Sequence, residues 1–151
     1  MLRLILPADG NQLGSVFGGV ILDQIDRVAY ITASRHSGGP CVTASFDRVD
    51  FIAPVFVGDI VHFDARVTYV GRSSMEVWIR VESERVGTRA LALVGNAFVT
   101  MVAIGPDKKP RPVAPLELTN DEERRLFAEA EQRMQARTMS RAGGPATPPR
   151  M

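Results

Sequence analysis

From about Ser15 to Arg35, Phe17, Ile21, Ile25 and Val28 recur at spacings of four, four and three, the signature of one face of an α-helix. Small and apolar residues fill most of the remaining circumference. A helix of about 20 residues, some 30 Å long, that is apolar nearly all round has to be enclosed. Gly38-Gly39-Pro40 stops it, and Arg35 and His36 in its last turn suit the helix dipole. The chain that follows supplies a cover. Cys41 to Phe51 is rich in Val, Thr and Phe. Asp59 to Val70 alternates, with Val61, Phe63, Ala65, Val67 and Tyr69 on one side. Ser74 to Ser83 alternates too, Met75, Val77, Ile79 and Val81 inward and Glu76, Arg80 and Glu82 outward. Gly71-Arg72-Ser73 is the turn between these two. Thr88 to Ile104 is nearly all apolar and reads as a central strand, with a bulge at Gly95-Asn96. With a short strand at Leu2 to Leu6, the order is one long helix and then four consecutive antiparallel strands. That is an α+β domain in which a curved sheet wraps a central helix.

Composition sets the limits. The 151 residues fit one domain with a tail. Formal net charge is +1, with both signs interspersed, which argues against a nucleic-acid surface. No apolar run reaches the ~20 residues of a membrane helix, and Met1 to Pro7 is too short for a secretory signal. The lone Cys41 excludes an intrachain disulfide, reads as a small core residue, and fits a reducing cytoplasm. Composition shifts near Pro115. Residues 1–116 are expected to form the main domain. Residues 117–137 are expected to hold a surface helix from Asp121 to about Arg137, capped at Thr119 through Glu122, with a thin stripe of Leu126, Ala130 and Met134. Residues 138–151, rich in Gly, Pro, Ser and Thr, are expected to be a disordered tail.

The chemistry concentrates where the polar loop Asn11 to Ser15 runs through Gly18-Gly19 into the helix carrying Asp26. A helix N-terminus offers unpaired N–H groups and partial positive charge, which suit a developing oxyanion. A carboxylate two turns on can activate water. Those parts suffice to hydrolyse an activated acyl group without a metal or a serine nucleophile. Asp23 is the other candidate acid, but it stands four residues before Arg27, the spacing of a routine ion pair. Asp26 instead shares a strip with Gly19, Leu22, Ala29 and Ala33. Burial without a partner would suit it as a base, whereas a structural acid bonded to a neighbouring strand is the plainer reading. His36 and His62 are too few and too far apart to argue for a metal, and no serine sits in a nucleophile elbow.

Asp9-Gly10-Asn11, Gly14-Ser15-Val16-Phe17-Gly18-Gly19 and Asp26 resemble the opening of the cytosolic acyl-CoA hydrolase family of hotdog-fold thioesterases. Val42-Thr43-Ala44-Ser45, Asp50-Phe51-Ile52-Ala53-Pro54, Val57-Gly58-Asp59, Gly71 to Val77 and Asn96 to Ala103 extend the match over roughly residues 7–115. The resemblance implies a hotdog fold, edge-to-edge pairing into a double-hotdog dimer, and further assembly into a trimer of dimers. It implies hydrolysis of acyl-CoA to free acid and coenzyme A at the dimer interface, with no cofactor beyond coenzyme A as part of substrate and product. It makes Asp26 catalytic and brings Asn11 to the site from the other protomer. The family often has Thr where this chain has Gly10, from which a more flexible loop is expected.

The bland alternatives stand beside these roles. Gly18 and Gly19 are either close-packing residues or amide donors to the thioester oxygen, with Gly19 the better donor. Asn11 either caps a turn or serves the site. Arg72, Ser73 and Ser74 form either an ordinary hairpin turn or, with Gly18 and Thr43, part of the substrate-binding surface, where Arg suits phosphate. Asp26 acts as general base or as nucleophile. The other functional class is a non-catalytic acyl-CoA-binding regulatory protein. A hydratase on the same fold ranks below both, because it generally wants a His–Asp pair.

Overall fold

A 20-residue helix, α1 (Gly18–Ser37), lies against an antiparallel sheet in the computed structural model, which describes residues 1–142. The strands are β1 (Leu2–Leu4), β2 (Cys41–Phe51), β3 (Ile60–Val70), β4 (Ser74–Glu84) and β5 (Leu91–Ala103), in the spatial order β1-β3-β4-β5-β2. A second helix, α2 (Asp121–Ala142), follows. Residues 1–116 and 117–151 form separate units.

The strand order differs from simple succession. β2 does not pair with β3; it pairs with β5 at the far edge, Val42 opposite Val102 and Thr43 opposite Met101. Alternation reports which face a residue takes, not which strand lies beside it, so this crossover carries no period. β2 is left with a neighbour on one side only. The core lies between α1 and the inward residues of the sheet, Val61, Phe63, Met75, Val77, Ile79, Val81, Ala97, Val99 and Met101. Each large apolar side chain there contributes about 1.5–3 kcal/mol.

α1 is less enclosed than its composition implies. It buries Ile21, Gln24, Ile25, Val28, Ala29 and Ala33, while Tyr30 and Ile31 are nearly half exposed, at 46% and 44%. One apolar face of the helix has no cover within the protomer. The helix also starts later than its periodicity suggested, because Val16 bridges to Gly10 and Ser15 to Phe56 in extended conformation. It ends at Gly38, whose φ of +70 lets its N–H close on the Ser34 carbonyl at 3.0 Å. His36 bonds through Nε2 to the Ala114 carbonyl, 3.0 Å away.

Two polar side chains are buried contrary to pattern. A register shift falls between Val67 and Tyr69 and leaves Tyr69 opposite Glu76, off the face of Val67. Beside it the Thr68 hydroxyl donates to Glu76 Oε1 at 2.8 Å on the face of β4 opposite Met75 and Val77, where Thr68 and Glu76 are both buried, not solvated. Asp59 is 2% exposed and accepts from the Phe56 amide, the Ser83 hydroxyl and Arg85 Nε at 3.0, 3.0 and 2.8 Å. Asp59→Ala leaves the Phe56 amide and the buried Ser83 hydroxyl without their acceptor and is expected to destabilise the fold by about 3 kcal/mol, read from urea unfolding midpoints.

In α2 the cap sits one residue later than expected. Asn120 Oδ1 accepts the Glu123 amide at 2.9 Å, and the Glu123 carboxylate reaches back to the Thr119 amide at 2.7 Å. That amide, with the Thr119 hydroxyl, holds the Glu123 carboxyl below the usual range. The helix continues through residues 138–142, which were expected in the tail; the rest of that tail, 143–151, lies outside the described residues.

Candidate active site

Asp26 projects from the middle of α1 at the border between its buried and open faces. It is not without a partner. Thr43 on β2 donates its hydroxyl to Asp26 Oδ1 at 2.6 Å, and the same Oγ lies 3.5 Å from Met101 Sδ. The short contact fixes one carboxylate oxygen, and Asp26 lines an open cleft of about 680 Å³. Tyr30, Ile31, Cys41 and Val42 make one side of that cleft apolar, and Asp23 and Arg27 also line it. Asp23 is taken up by Arg27 Nε at 3.0 Å, which holds its carboxyl below the ordinary value. Of the two helix acids, Asp26 alone combines half-burial, an orienting donor and an apolar cleft.

The amino end of α1 stands apart from this group. Its N-cap, Phe17, gives no side-chain hydrogen bond, so no cap competes for the first amides. Gly18 and Gly19 are both exposed. A Cβ on Gly18 would stand 3.5 Å from the Phe51 ring, whereas beside Gly19 there is nothing within 4 Å. The first is an ordinary van der Waals distance, so close packing requires a glycine at neither position. The seven helical steps from Gly19 to Asp26 place them about 10 Å apart along the axis. Helix N–H groups point toward the amino end, away from Asp26. One protomer therefore cannot present both groups to the same carbonyl.

Asn11 uses its side chain within its own loop. Oδ1 accepts the Leu13 amide at 2.8 Å and the Ser15 hydroxyl at 3.2 Å, while Nδ2 donates to Ser15 Oγ at 2.9 Å. Within a protomer it shapes the approach to the helix N-terminus. Gly10, where the family often has Thr, precedes this side chain. Its φ is an ordinary −85, and the place of a Cβ is taken by Val57 Cγ2, only 2.8 Å away. Gly10 is there for space.

The Arg72-Ser73-Ser74 turn lies at the Thr43 end of the sheet. Ser74 is opposite Val102 and Val102 opposite Val42, so the turn is two strand spacings, about 10 Å, from β2. The Arg72 and Ser73 carbonyls accept the Val113 and Ala103 amides, both at 2.9 Å, and the Arg72 side chain is exposed. The structure thus brings Asp26 to Thr43, groups Asn11 with Gly18 and Gly19, and leaves Arg72 to Ser74 as a third cluster. Thr43's direct bond to the acid had no sequence signal beyond its place in a strand.

Residues 13–90 match the family model of the thioesterase superfamily. An uncharacterized acyl-CoA thioester hydrolase of Bacillus subtilis is 39% identical over 133 residues, 88% of this chain and 77% of that one. Among solved structures, an apo-hexameric acyl-CoA thioesterase is 42% identical with a TM-score of 0.88, covering 92% of this chain and 89% of its own. An acyl-CoA hydrolase from Staphylococcus aureus, solved with butyryl coenzyme A and coenzyme A, is 36% identical with a TM-score of 0.86, covering 95% and 87%. That hydrolase has also been solved as three single-alanine variants, of an asparagine, an aspartate and a threonine, spaced fifteen and seventeen residues apart in that order.

Proposed function

The chain belongs to the thioesterase superfamily and has its hotdog fold, and on that premise we propose that it hydrolyses acyl-CoA thioesters to a free acid and coenzyme A in the cytoplasm. The observation that carries this reading is the Asp26 carboxylate, held by the Thr43 hydroxyl at 2.6 Å beside an open, partly apolar cleft. Asn11, Asp26 and Thr43 follow one another at the same fifteen- and seventeen-residue intervals as the three residues replaced in the Staphylococcus aureus hydrolase. An acyl-CoA-binding regulator would have no need of an acid so placed.

The proposed site is built from two protomers. Asp26 and Thr43 come from one; Asn11, Gly18 and Gly19 come from the other. β2 supports this arrangement, being an 11-residue edge strand with Val42, Phe46 and Phe51 exposed, a surface that an isolated chain leaves open to pairing. A homodimer is the minimum, and the hexameric relatives support a trimer of dimers. Sedimentation at micromolar concentration is expected to give at least two chains; a fully active monomer would remove the shared site.

In the proposed reaction the thioester oxygen takes the Gly19 N–H, with Asn11 ordering the loop that leads there. Asp26 accepts a proton as water attacks the carbonyl carbon, the carbon–sulfur bond breaks, and the proton passes to the departing thiolate. In the alternative route Asp26 attacks first and water then opens the mixed anhydride. Water is the only co-reactant in either route, so neither calls for a metal or organic cofactor. The acyl chain follows Tyr30, Ile31 and Val42, and the phosphates of coenzyme A lie toward Arg72, Ser73 and Ser74. Thiol release from a panel of acyl-CoAs, short to long and aromatic, tests the activity. Tight binding without turnover on any member would return the regulatory reading.

A further inference from the structure

We infer that Asp59 is a positioning residue for the Asn11 loop, acting through the Val55–Gly58 turn; this rests on the site reading above. Asp59 is remote in sequence from that loop and is absent from the proposed chemistry. Its carboxylate nevertheless has three donors, and each bears on one turn. The Phe56 amide at 3.0 Å belongs to the turn itself. Ser83 and Arg85, at 3.0 and 2.8 Å, tie the carboxylate to the end of β4 and the residue after it. The Arg85 guanidinium also lies over the Phe56 ring, 5.1 Å from its centre.

The turn so fixed is the surface against which the Asn11 loop is built. The Val16 amide donates to the Val55 carbonyl at 2.8 Å, and the Val57 amide to the Gly14 carbonyl at 3.3 Å. Ser15 bridges to Phe56. Val57 fills the space beside Gly10, the residue before Asn11. Ser15, gripped on its backbone by this turn, is the residue whose hydroxyl and carbonyl hold the Asn11 side chain and amide, at 2.9 and 2.7 Å. Asp59 thus connects to Asn11 and to the start of α1 through an unbroken series of short contacts. The one backbone donor to this buried carboxylate, the Phe56 amide, belongs to the turn against which the Asn11 loop is built. Misplacement by about 1 Å costs up to a hundredfold in rate.

The test is a double-mutant cycle on the full chain, with kcat and KM measured by thiol release from butyryl-, octanoyl- and palmitoyl-CoA. Asp59→Asn is expected to lower kcat about tenfold and to move KM less than about twofold. In an Asn11→Ala background the same substitution is expected to lower kcat by less than about twofold, because the loop it positions no longer carries the working side chain. Ser83→Ala and Arg85→Met each remove one donor and repeat the cycle with smaller losses, which covers an Asp59→Asn chain that fails to fold. Equal losses in both backgrounds, or wild-type kcat in a folded Asp59→Asn, would overturn the inference and leave the site reading intact. Wild-type kcat in Asn11→Ala would overturn both.

Discussion

Asp26→Asn is expected to lower kcat for acyl-CoA hydrolysis about a thousandfold, within the range that a positioned proton acceptor supplies, while KM and coenzyme A affinity change little. The substitution is nearly isosteric. Its amide oxygen can still accept the Thr43 hydroxyl that now sits 2.6 Å from Oδ1, so the helix, β2 and the cleft between them keep their arrangement. What disappears is the ability to take a proton or to attack carbon. A variant that binds coenzyme A normally by calorimetry but has lost turnover would assign Asp26 to chemistry. Turnover within tenfold of wild type would move the base elsewhere. Thr43→Val, which frees the carboxylate to rotate, is expected to cost about tenfold, because misorientation costs less than removal. The two catalytic routes separate in a single turnover in labelled water. Attack by water puts the label only in the released acid, whereas water opening a mixed anhydride at the enzyme's carbonyl leaves it in Asp26.

Periodicity made α1 legible because a helix buried on one face repeats its apolar residues whatever lies against it. The Ile21, Ile25, Val28 spacing survives intact as the buried stripe. The same logic recovered Val61, Phe63, Ala65 and Val67 of β3 and the inward residues of β4, and missed at Tyr69, where the register shift brings Val70 to the core side instead. It failed where neighbours decide. β2 pairs with β5 because the chain from Ile52 to Asp59 carries it across the sheet, and nothing in the alternation of Cys41–Phe51 says so. Glu76 keeps the face that alternation gives it, opposite Met75 and Val77, but that face is buried at Glu76 and Thr100, and alternation reports a face, not whether it is covered. The open face of α1, with Tyr30 and Ile31 exposed, looked like core from composition, since exposed apolar residues have the same character in a sequence as covered ones. Asp26 could be chosen over Asp23 because Arg27 stands at ion-pair spacing from Asp23. Asn11 could not be settled that way. Its turn-forming bonds and its proposed role across an interface draw on the same side chain, and only the first lies within one protomer.

Gly19→Pro is expected to lower kcat by about 10²–10³, the cost of one lost oxyanion donor, in a protein that still folds. Proline removes the N–H under test, and in the first turn of a helix it removes no intrahelical bond, because those amides have no partner there. Nothing lies within 4 Å of the added Cβ position, and a glycine precedes it, which eases the restraint proline places on its neighbour. Gly19→Ala keeps the N–H and is expected to lose far less. The pair therefore separates the donor from the side-chain space. The same variant also tests the shared site. In a mixed dimer of Asp26→Asn and Gly19→Pro chains, a site drawing its acid from one protomer and its amide from the other collects both defects at one end and neither at the other. Refolding equal amounts of the two inactive proteins together is then expected to restore about a quarter of wild-type turnover, since half the dimers are mixed and each holds one intact site of two. If both groups served the same site from one chain, every site in the mixture would carry a defect and no activity would return.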